Sequence, residues 1–189
     1  MKSDLLETAY LYHYYDAATG PFLNLSDLSP SEADAVQADI VRSGKGFAAQ
    51  RNERYLARRR ELEQVVRDLF IGKGGQPIRT APHYMVIGEC PWLKTWYTDS
   101  RSVKIHVSEF DMRTVSFTYG DTFPTFSDKV TDDAEYRRRV YTYEEVLRLI
   151  DKYGLPQHQW NAPIFAQPAY VEAHVWSDDV PKKYRKMWA

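Results

Sequence analysis

Cysteine is nearly absent from this sequence, since Cys90 is the single one among 189 residues. One cysteine cannot build an internal disulfide framework or a cysteine-based zinc site. Such a composition suits a reducing compartment, so we predict a cytoplasmic location. A lone cysteine is more often buried than reactive, and we expect Cys90 to be a core residue rather than a nucleophile.

Long apolar runs and a large net charge are also missing. No apolar segment approaches the length of a membrane span, and the opening residues M-K-S-D-L-L-E-T do not read as a signal peptide. We therefore expect no membrane partner. The formal net charge of -1 gives no overall attraction to polyanions. Nucleic acid stays open as a partner through two local basic patches, the arginines within 51–60 and the segment K-K-Y-R-K after Pro181.

Several catalytic signatures cannot be found either. The sequence has no G-x-S-x-G elbow of a serine hydrolase, no G-x-G-x-x-G dinucleotide loop and no H-E-x-x-H zinc motif. The connector G-K-G-G-Q-P at 72–77 lacks the preceding strand and the following Ser or Thr that a phosphate loop requires. These absences leave acid–base chemistry by carboxylates as the most open catalytic hypothesis.

What the sequence has in excess is aromatic side chains, with 14 Tyr, 8 Phe and 5 Trp. Tyrosine and tryptophan combine an apolar ring with a polar tip and often line ligand pockets. We therefore expect an aromatic cleft that binds a small molecule. Aromatic and β-branched stretches predict strands at 9–15, 83–88, 102–107, 115–119 and 170–176.

Helix signals fall in two blocks between these strands. Ser29 and Thr142 each begin a predicted helix with a capping box, the first over 30–42. A longer helix is predicted over 50–71, and another after Asp132. The order predicts a single α+β domain over 1–189, with a twisted, mostly antiparallel sheet and helices inserted between the first and the later strands.

One arginine of the basic cluster stands in an apolar position. Arg58 lies between Tyr55 and Leu62 on the apolar stripe of the helix predicted over 50–71. A charge there must extend to solvent, pair with an acid or face a bound anion, and the first two are the more common outcomes. The other arginines of the cluster are expected to be solvated: Arg51, Arg54, Arg59 and Arg60.

The stretch Y-V-E-A-H-V-W-S-D-D at 170–179 contains the last predicted strand, whose side chains fall into two sets. Its valines and alanine point to one face, whereas Tyr170, Glu172, His174 and Trp176 point to the other. We expect this second face to form the floor of the cleft rather than a solvated surface. Glu172 is the best candidate for a catalytic carboxylate, because its neighbours can desolvate it and fix its geometry.

Two resemblances bear on function. The stretches Y-H-Y-Y-D, P-H-Y-M-V-I-G-E-C-P-W-L and S-F-T-Y-G-D-T-F-P-T-F, with the last strand, resemble an uncharacterised bacterial protein family, which implies an intact domain and no particular activity. The two ends of the chain resemble the ADP-ribosyltransferase superfamily, notably its DNA-modifying toxin branch. Tyr12-His13-Tyr14 matches the opening strand of that superfamily, and Glu172 with Val180-Pro181 matches its closing strand and turn.

The second resemblance implies that the first and last strands lie side by side and that NAD+ is consumed as a substrate. His13 would bind the ribose of NAD+, and Glu172 would orient the attacking group and stabilise positive charge as nicotinamide leaves. ADP-ribose would pass to an acceptor that the sequence does not identify, with nucleic acid as one candidate. The remaining residues expected to contact NAD+ are Tyr12, Tyr14, Arg58, Arg79, Tyr84 and Tyr119.

Two other functions remain open. The cleft could belong to a non-catalytic domain that binds a small molecule or a partner peptide. Alternatively, a metal-dependent hydrolase could use ligands from two strands if those strands were neighbours. The candidate ligands for that metal are His106, Asp111, His174 and Asp178.

Overall fold

In a computed structural model of the protein, residues 6–159 and 167–188 are described, and they contain one five-stranded sheet. Its strand order is β3-β1-β2-β5-β4, and every neighbouring pair is antiparallel. The α+β class and the antiparallel sheet are confirmed. The strands are β1 (Tyr10–Asp16), β2 (His83–Ile87), β3 (Ser100–His106), β4 (Val115–Tyr119) and β5 (Val171–Val175).

Helices α1 and α2 are inserted between β1 and β2, as predicted. Ser29 and Thr142 form the expected capping boxes of α1 and α5, and Gly44 ends α1 in the left-handed conformation with φ 63°. The basic K-K-Y-R-K segment belongs to α6. The helices are α1 (Pro30–Ser43), α2 (Tyr55–Gly72), α3 (Pro91–Lys94), α4 (Thr122–Thr125), α5 (Tyr143–Tyr153) and α6 (Asp179–Trp188).

Two helix predictions are corrected by the structure. The helix expected after Asp132 does not form, because Asp133 and Arg138 adopt positive φ angles of 51° and 55° that an α-helix excludes. Helix α2 begins at Tyr55 rather than near residue 50, because Arg51 is extended after a short 3-10 helix. The sequence after Pro156 favours a loop over 157–168; residues 157–159 and 167–168 of it are described, and Trp160 lies outside the described residues.

The sheet has an apolar face and a mixed face. Helices α5 and α6 cover the apolar face, where Leu11, Ile87 and Phe117 pack with Val146 and Val180. On the mixed face, the apolar side of α2 covers one end and an aromatic group around Tyr14 covers the other. Cys90 belongs to this aromatic group and is fully buried, as predicted, and burial raises the pKa of its thiol.

The register across the sheet decides which side chains share the mixed face. Tyr12 pairs with Val86, Val86 with Glu172, and Glu172 with Thr118. Directly paired residues of antiparallel strands project to the same side, so Tyr12 and Glu172 lie on one face. None of the helices within the described ranges has the length and apolar character needed to cross a membrane.

Candidate functional site

A cleft of about 1830 Å³ opens on the mixed face of the sheet, beneath α1 and beside α2. It borders β1, β2 and β5 and has many aromatic side chains in its walls, so the expected aromatic cleft is present. A cavity of this size can enclose a ligand considerably larger than a single sugar or amino acid. Its aromatic lining includes Tyr55, Tyr84, Trp92, Trp96, Phe123 and Tyr170.

Glu172 lies at the floor of the cleft and is 8% exposed. Its Oε1 accepts a hydrogen bond from the Thr122 hydroxyl at 2.5 Å and lies 3.0 Å from Nε2 of His174. Within the described ranges, no group hydrogen-bonds the second oxygen, Oε2. The described residues therefore hold the carboxylate through one oxygen only.

The other half of the same strand face is core rather than cleft. Trp176 is fully buried and donates from Nε1 to the Ser116 hydroxyl at 2.9 Å, and Ser116 lies 3.4 Å from Nδ1 of His174. Trp176 packs against Leu62 and Val66 of α2, which covers this end of the sheet. The expectation that the whole face forms the cleft floor is thus wrong for His174 and Trp176, which lie in the core. His174 contacts Glu172 directly, and Trp176 is linked to His174 through Ser116.

A second carboxyl group, Asp121, lies beside Glu172 and borders the cleft. Its Oδ2 accepts from the Tyr170 hydroxyl and its Oδ1 from the Phe123 amide, both at 2.7 Å. Burial and the negative charge of Glu172 together raise the pKa of Asp121 to about 6. Sequence reasoning missed Asp121, because it stands in a turn and only the pairing of Tyr119 with Val171 brings it next to Glu172.

Two arginines that were expected to be solvated are instead built into the cleft wall. Arg59 is 12% exposed and bonds Glu63, itself 4% exposed, at 2.9 Å. Glu63 also accepts from the Tyr84 hydroxyl at 2.9 Å, and the Arg59 guanidinium lies 4.6 Å from the centre of the Tyr84 ring. This buried ion pair is structural, since its charges are directed at each other.

Arg51 differs from Arg59 because its charge has no partner of this kind. Its guanidinium lies 4.2 Å over the ring of Tyr55, which stacks on Phe123 with centroids 5.2 Å apart. Among the described residues, none accepts a hydrogen bond from that guanidinium. Burial lowers the pKa of Arg51. A half-buried cation without an acceptor, at the border of a cleft, is suited to bind an anion.

The residues predicted to contact NAD+ divide into two groups. Tyr12, Tyr14 and Tyr84 line the cleft, and Arg58 lies at its rim. The Arg58 side chain is 44% exposed and forms an ion pair with Glu61 at 3.1 Å. Of the possibilities open for this arginine, the structure therefore shows pairing with an acid.

The structure does not bring Arg79 or Tyr119 to the cleft. Arg79 bonds the carboxylates of Asp27 and Asp178 and the carbonyl of Ala81, which occupies its guanidinium. Tyr119 lies on the apolar face and donates to the Gly154 carbonyl at 2.8 Å. The sequence shows that an arginine and a tyrosine are present, but it does not show that neighbouring residues already bond the Arg79 guanidinium and the Tyr119 hydroxyl.

The predicted adjacency of the first and last strands is wrong, because β2 lies between β1 and β5. Alternation along β1 directs His13 away from the face that carries Tyr12 and Glu172. The strands β1 and β2 pair at two positions, Leu11 with Ile87 and Tyr12 with Val86, and they separate beyond Tyr12. His13 borders the cleft at this separation. The imidazole and the carboxylate therefore do not form the expected facing pair.

Both ring nitrogens of His13 are already bonded to the backbone. Nδ1 donates to the Tyr84 carbonyl and Nε2 accepts from the Phe22 amide, both at 2.9 Å. This pattern requires the neutral tautomer with the proton on Nδ1. Burial lowers the pKa of His13 to about 4, against the opposing effect of the Tyr84 carbonyl. His13 joins β1 to β2 and to the turn at Phe22.

Replacing His13 by alanine should lower the free energy of unfolding by about 2–4 kcal/mol, because it leaves a buried carbonyl and a buried amide unpaired. The unfolded histidine has a pKa of about 6.5 and the folded one about 4, so wild-type stability is lost as pH falls through this window. The difference between wild type and H13A in urea denaturation should therefore shrink from pH 7 to pH 4. A constant difference would contradict a neutral structural histidine.

The ligands proposed for a metal do not converge. His106 bonds Ser108, Asp111 pairs with Arg113, and Asp178 pairs with Arg79. In the part of the chain that the structure describes, no three His, Cys, Asp or Glu side chains are grouped so that they could hold a metal ion. The geometry therefore gives the metal-dependent hydrolase hypothesis no support.

Comparison of the chain with family models, curated proteins and solved structures gives no match. The resemblance to ADP-ribosyltransferases thus rests on two short motifs, and the cleft is lined by Tyr12 and Tyr14 of the first and by Glu172 of the second. Chemically, the cleft offers a fixed carboxylate, a second carboxyl with a raised pKa and the Arg51 cation, from which no described residue accepts a hydrogen bond. This set suits acid–base or charge-stabilising catalysis on a ligand that combines rings with an anionic group.

Proposed function

We propose that the cleft is an active site for glycosyl transfer from a nucleotide donor, with NAD+ as the donor and ADP-ribose as the group transferred. The observation that carries the proposal is the state of Glu172, which is fixed through Oε1 at the floor of an aromatic cleft and whose Oε2 has no bonding partner among residues 6–159 and 167–188. A fixed carboxylate in a poorly solvated site stabilises positive charge far better than one in water.

The chemistry follows from how the glycosidic bond breaks. As the bond to nicotinamide lengthens, positive charge builds on the anomeric carbon of the ribose, and Glu172 supplies the opposing charge. Stacked rings such as Tyr55 and Phe123 can hold the planar bases. Arg51 can bind a phosphate of the donor with two parallel hydrogen bonds. His13 has no part in this scheme, because its nitrogens are occupied.

The acceptor is not specified by the cleft. Water, a small molecule and a nucleic acid each carry a hydroxyl or amine that could attack the ribose. Several arginines stand near the start of α2, but Arg59 is internally paired and Arg58 is bonded to Glu61, which reduces the charge left for a polyanion. Nucleic acid therefore remains one candidate acceptor among several.

Binding of NAD+ tests the donor directly, and Arg51 is the residue to vary. Replacing Arg51 by glutamine should raise the Kd for NAD+ by about 10–100-fold, because a charged hydrogen bond contributes about 1.5–3 kcal/mol. Isothermal titration calorimetry with NAD+ measures this change. The matched control is Arg113→Gln, which removes an exposed arginine paired with Asp111 outside the cleft.

The titration has two outcomes that would contradict the proposal. Absence of NAD+ binding to the wild-type protein would exclude NAD+ as the donor. Equal affinities of wild type and R51Q for NAD+ would exclude a contact between Arg51 and a phosphate. Nicotinamide mononucleotide keeps one of the phosphates of NAD+ and is a useful second probe. Arg51 can contribute to its binding only if Arg51 contacts that phosphate.

A non-catalytic binding domain is the second candidate, and one observation favours it. Oε1 of Glu172 is shared between Thr122 and His174, an arrangement that also suits a purely structural buried carboxylate. In that case the cleft would bind its ligand without turnover. Release of free nicotinamide from NAD+, measured by chromatography over several hours, distinguishes the two candidates because a binding domain produces none.

A further inference from the structure

We infer that Asp121 is the general base of this site, accepting a proton from the attacking hydroxyl while Glu172 stabilises the donor. The inference rests on the proposed function and adds a residue and a step to it. The two carboxyl groups would divide the work, as pairs of carboxyls in different environments do in other acid–base sites.

The position of Asp121 follows from the antiparallel pairing of β4 with β5. Thr118 pairs with Glu172 and Tyr119 with Val171, so the residues just after β4 lie beside the start of β5. Thr122 then bonds Glu172 with its hydroxyl, and Asp121 is the residue before it. Both carboxyl groups border the same cleft.

The orientation of Asp121 is fixed from two sides. The Phe123 amide holds Oδ1 and the hydroxyl of Tyr170 holds Oδ2. Capping of the four-residue helix α4 requires the first of these bonds and not the second. Tyr170 is itself 3% exposed, so its hydroxyl is committed to this carboxyl.

The charges around Asp121 do not match a purely structural acid. In the described residues, neither Asp121 nor Glu172 forms an ion pair with a lysine or arginine, and each lies in the negative field of the other. Buried acids that only support a fold are normally paired with a cation. Two unpaired acids in one cleft reduce stability, which is a common property of catalytic sites.

The bond between the anomeric carbon and the nicotinamide nitrogen breaks, and its electron pair stays on that nitrogen. A lone pair of the attacking oxygen forms the new bond to the anomeric carbon. The proton of that oxygen passes to the Asp121 carboxylate and later leaves to solvent. With water as the acceptor, the products are nicotinamide, ADP-ribose and one proton.

This role predicts a specific dependence of rate on pH. The groups that face Asp121 are Glu172, Tyr170 and Arg51, with His174 behind Thr122. Burial and Glu172 raise the pKa of Asp121 to about 6, so the carboxylate form needed as a base is lost below that pH. The rate should therefore rise with pH up to about 6 and then become constant.

The test compares wild type with Asp121→Asn, using release of nicotinamide from NAD+ with water as acceptor. Asparagine keeps the cap on Phe123 but cannot take a proton. We expect kcat at pH 8 to fall by about 10²–10⁴-fold, with little change in KM and no rise in rate near pH 6. Asp111→Asn is the matched control, since Asp111 caps a short helix in the same way outside the cleft.

Thermal melting gives a second measurement that does not depend on turnover. The folded pKa of Asp121 is above its unfolded value of 3.8, so protonation favours the folded wild type and its stability falls as pH rises from 4 to 7. D121N lacks this loss, and its melting temperature relative to wild type should rise over the same range. D111N should show no such trend.

Three results would contradict these proposals in different ways. Wild-type protein that releases no nicotinamide overturns the proposed function, and with it the role of Asp121. Turnover by D121N that keeps the rise near pH 6 overturns the role of Asp121 alone. A melting temperature of D121N that stays below wild type by the same amount at every pH assigns Asp121 to capping and also overturns that role.

Discussion

The Glu172→Gln variant is expected to lower kcat for nicotinamide release from NAD+ by about 10²–10³-fold or more, while the melting temperature stays close to wild type. The amide has nearly the same shape as the carboxylate, and its oxygen can still accept from the Thr122 hydroxyl. What is lost is the negative charge next to the developing positive charge of the ribose. Affinity for NAD+ should change little, because that charge develops only in the transition state.

Glu109→Gln is the matched control for this variant. Glu109 bonds Tyr184 at 2.9 Å in an exposed position and does not border the cleft. The E109Q protein should keep the wild-type rate, which separates loss of a particular carboxylate from a general change of charge. Undiminished turnover in a folded E172Q protein would remove the catalytic role of Glu172.

The second large effect concerns the buried pair behind the cleft wall. Replacing Glu63 by glutamine should lower the free energy of unfolding by about 3–5 kcal/mol, because it leaves the Arg59 charge buried without its carboxylate. Oε1 of Glu63 also accepts from Ser26 at 2.7 Å and from Tyr84 at 2.9 Å, and a glutamine oxygen can keep these bonds, so the loss comes from the missing negative charge beside Arg59. Urea denaturation followed by circular dichroism measures the change.

A double variant separates the pair from its surroundings. Arg59→Met with Glu63→Leu removes both charges and keeps the volume apolar, and it should be more stable than E63Q alone. This ordering follows because an unpaired buried charge costs more than the absence of both charges. A double variant less stable than E63Q would show that the network of bonds to Asn24, Ser26 and Tyr84 contributes more than the ion pair.

Features that depend on a few neighbouring residues were predicted well. The capping boxes at Ser29 and Thr142 begin helices where expected, because the bonds that form them join residues three apart. The alternation around Glu172 separated the apolar face of β5 from the mixed face for the same reason. The helix expected after Asp132 failed because a capping signal alone cannot prevent positive φ angles further along the segment.

Features that depend on contacts between distant segments of the chain could not be predicted from such local patterns. The sequence alone determined the α+β class, most strand and helix positions, and Glu172 as the carboxylate to examine. The tertiary structure decided that β2 separates β1 from β5, that His13 is bonded to the backbone, and that Asp121 lies beside Glu172. The reason is physical: local geometry is set by residues a few positions apart. The availability of a charge or a ring nitrogen depends on distant partners, such as Thr122 and Glu172, which lie 50 residues apart.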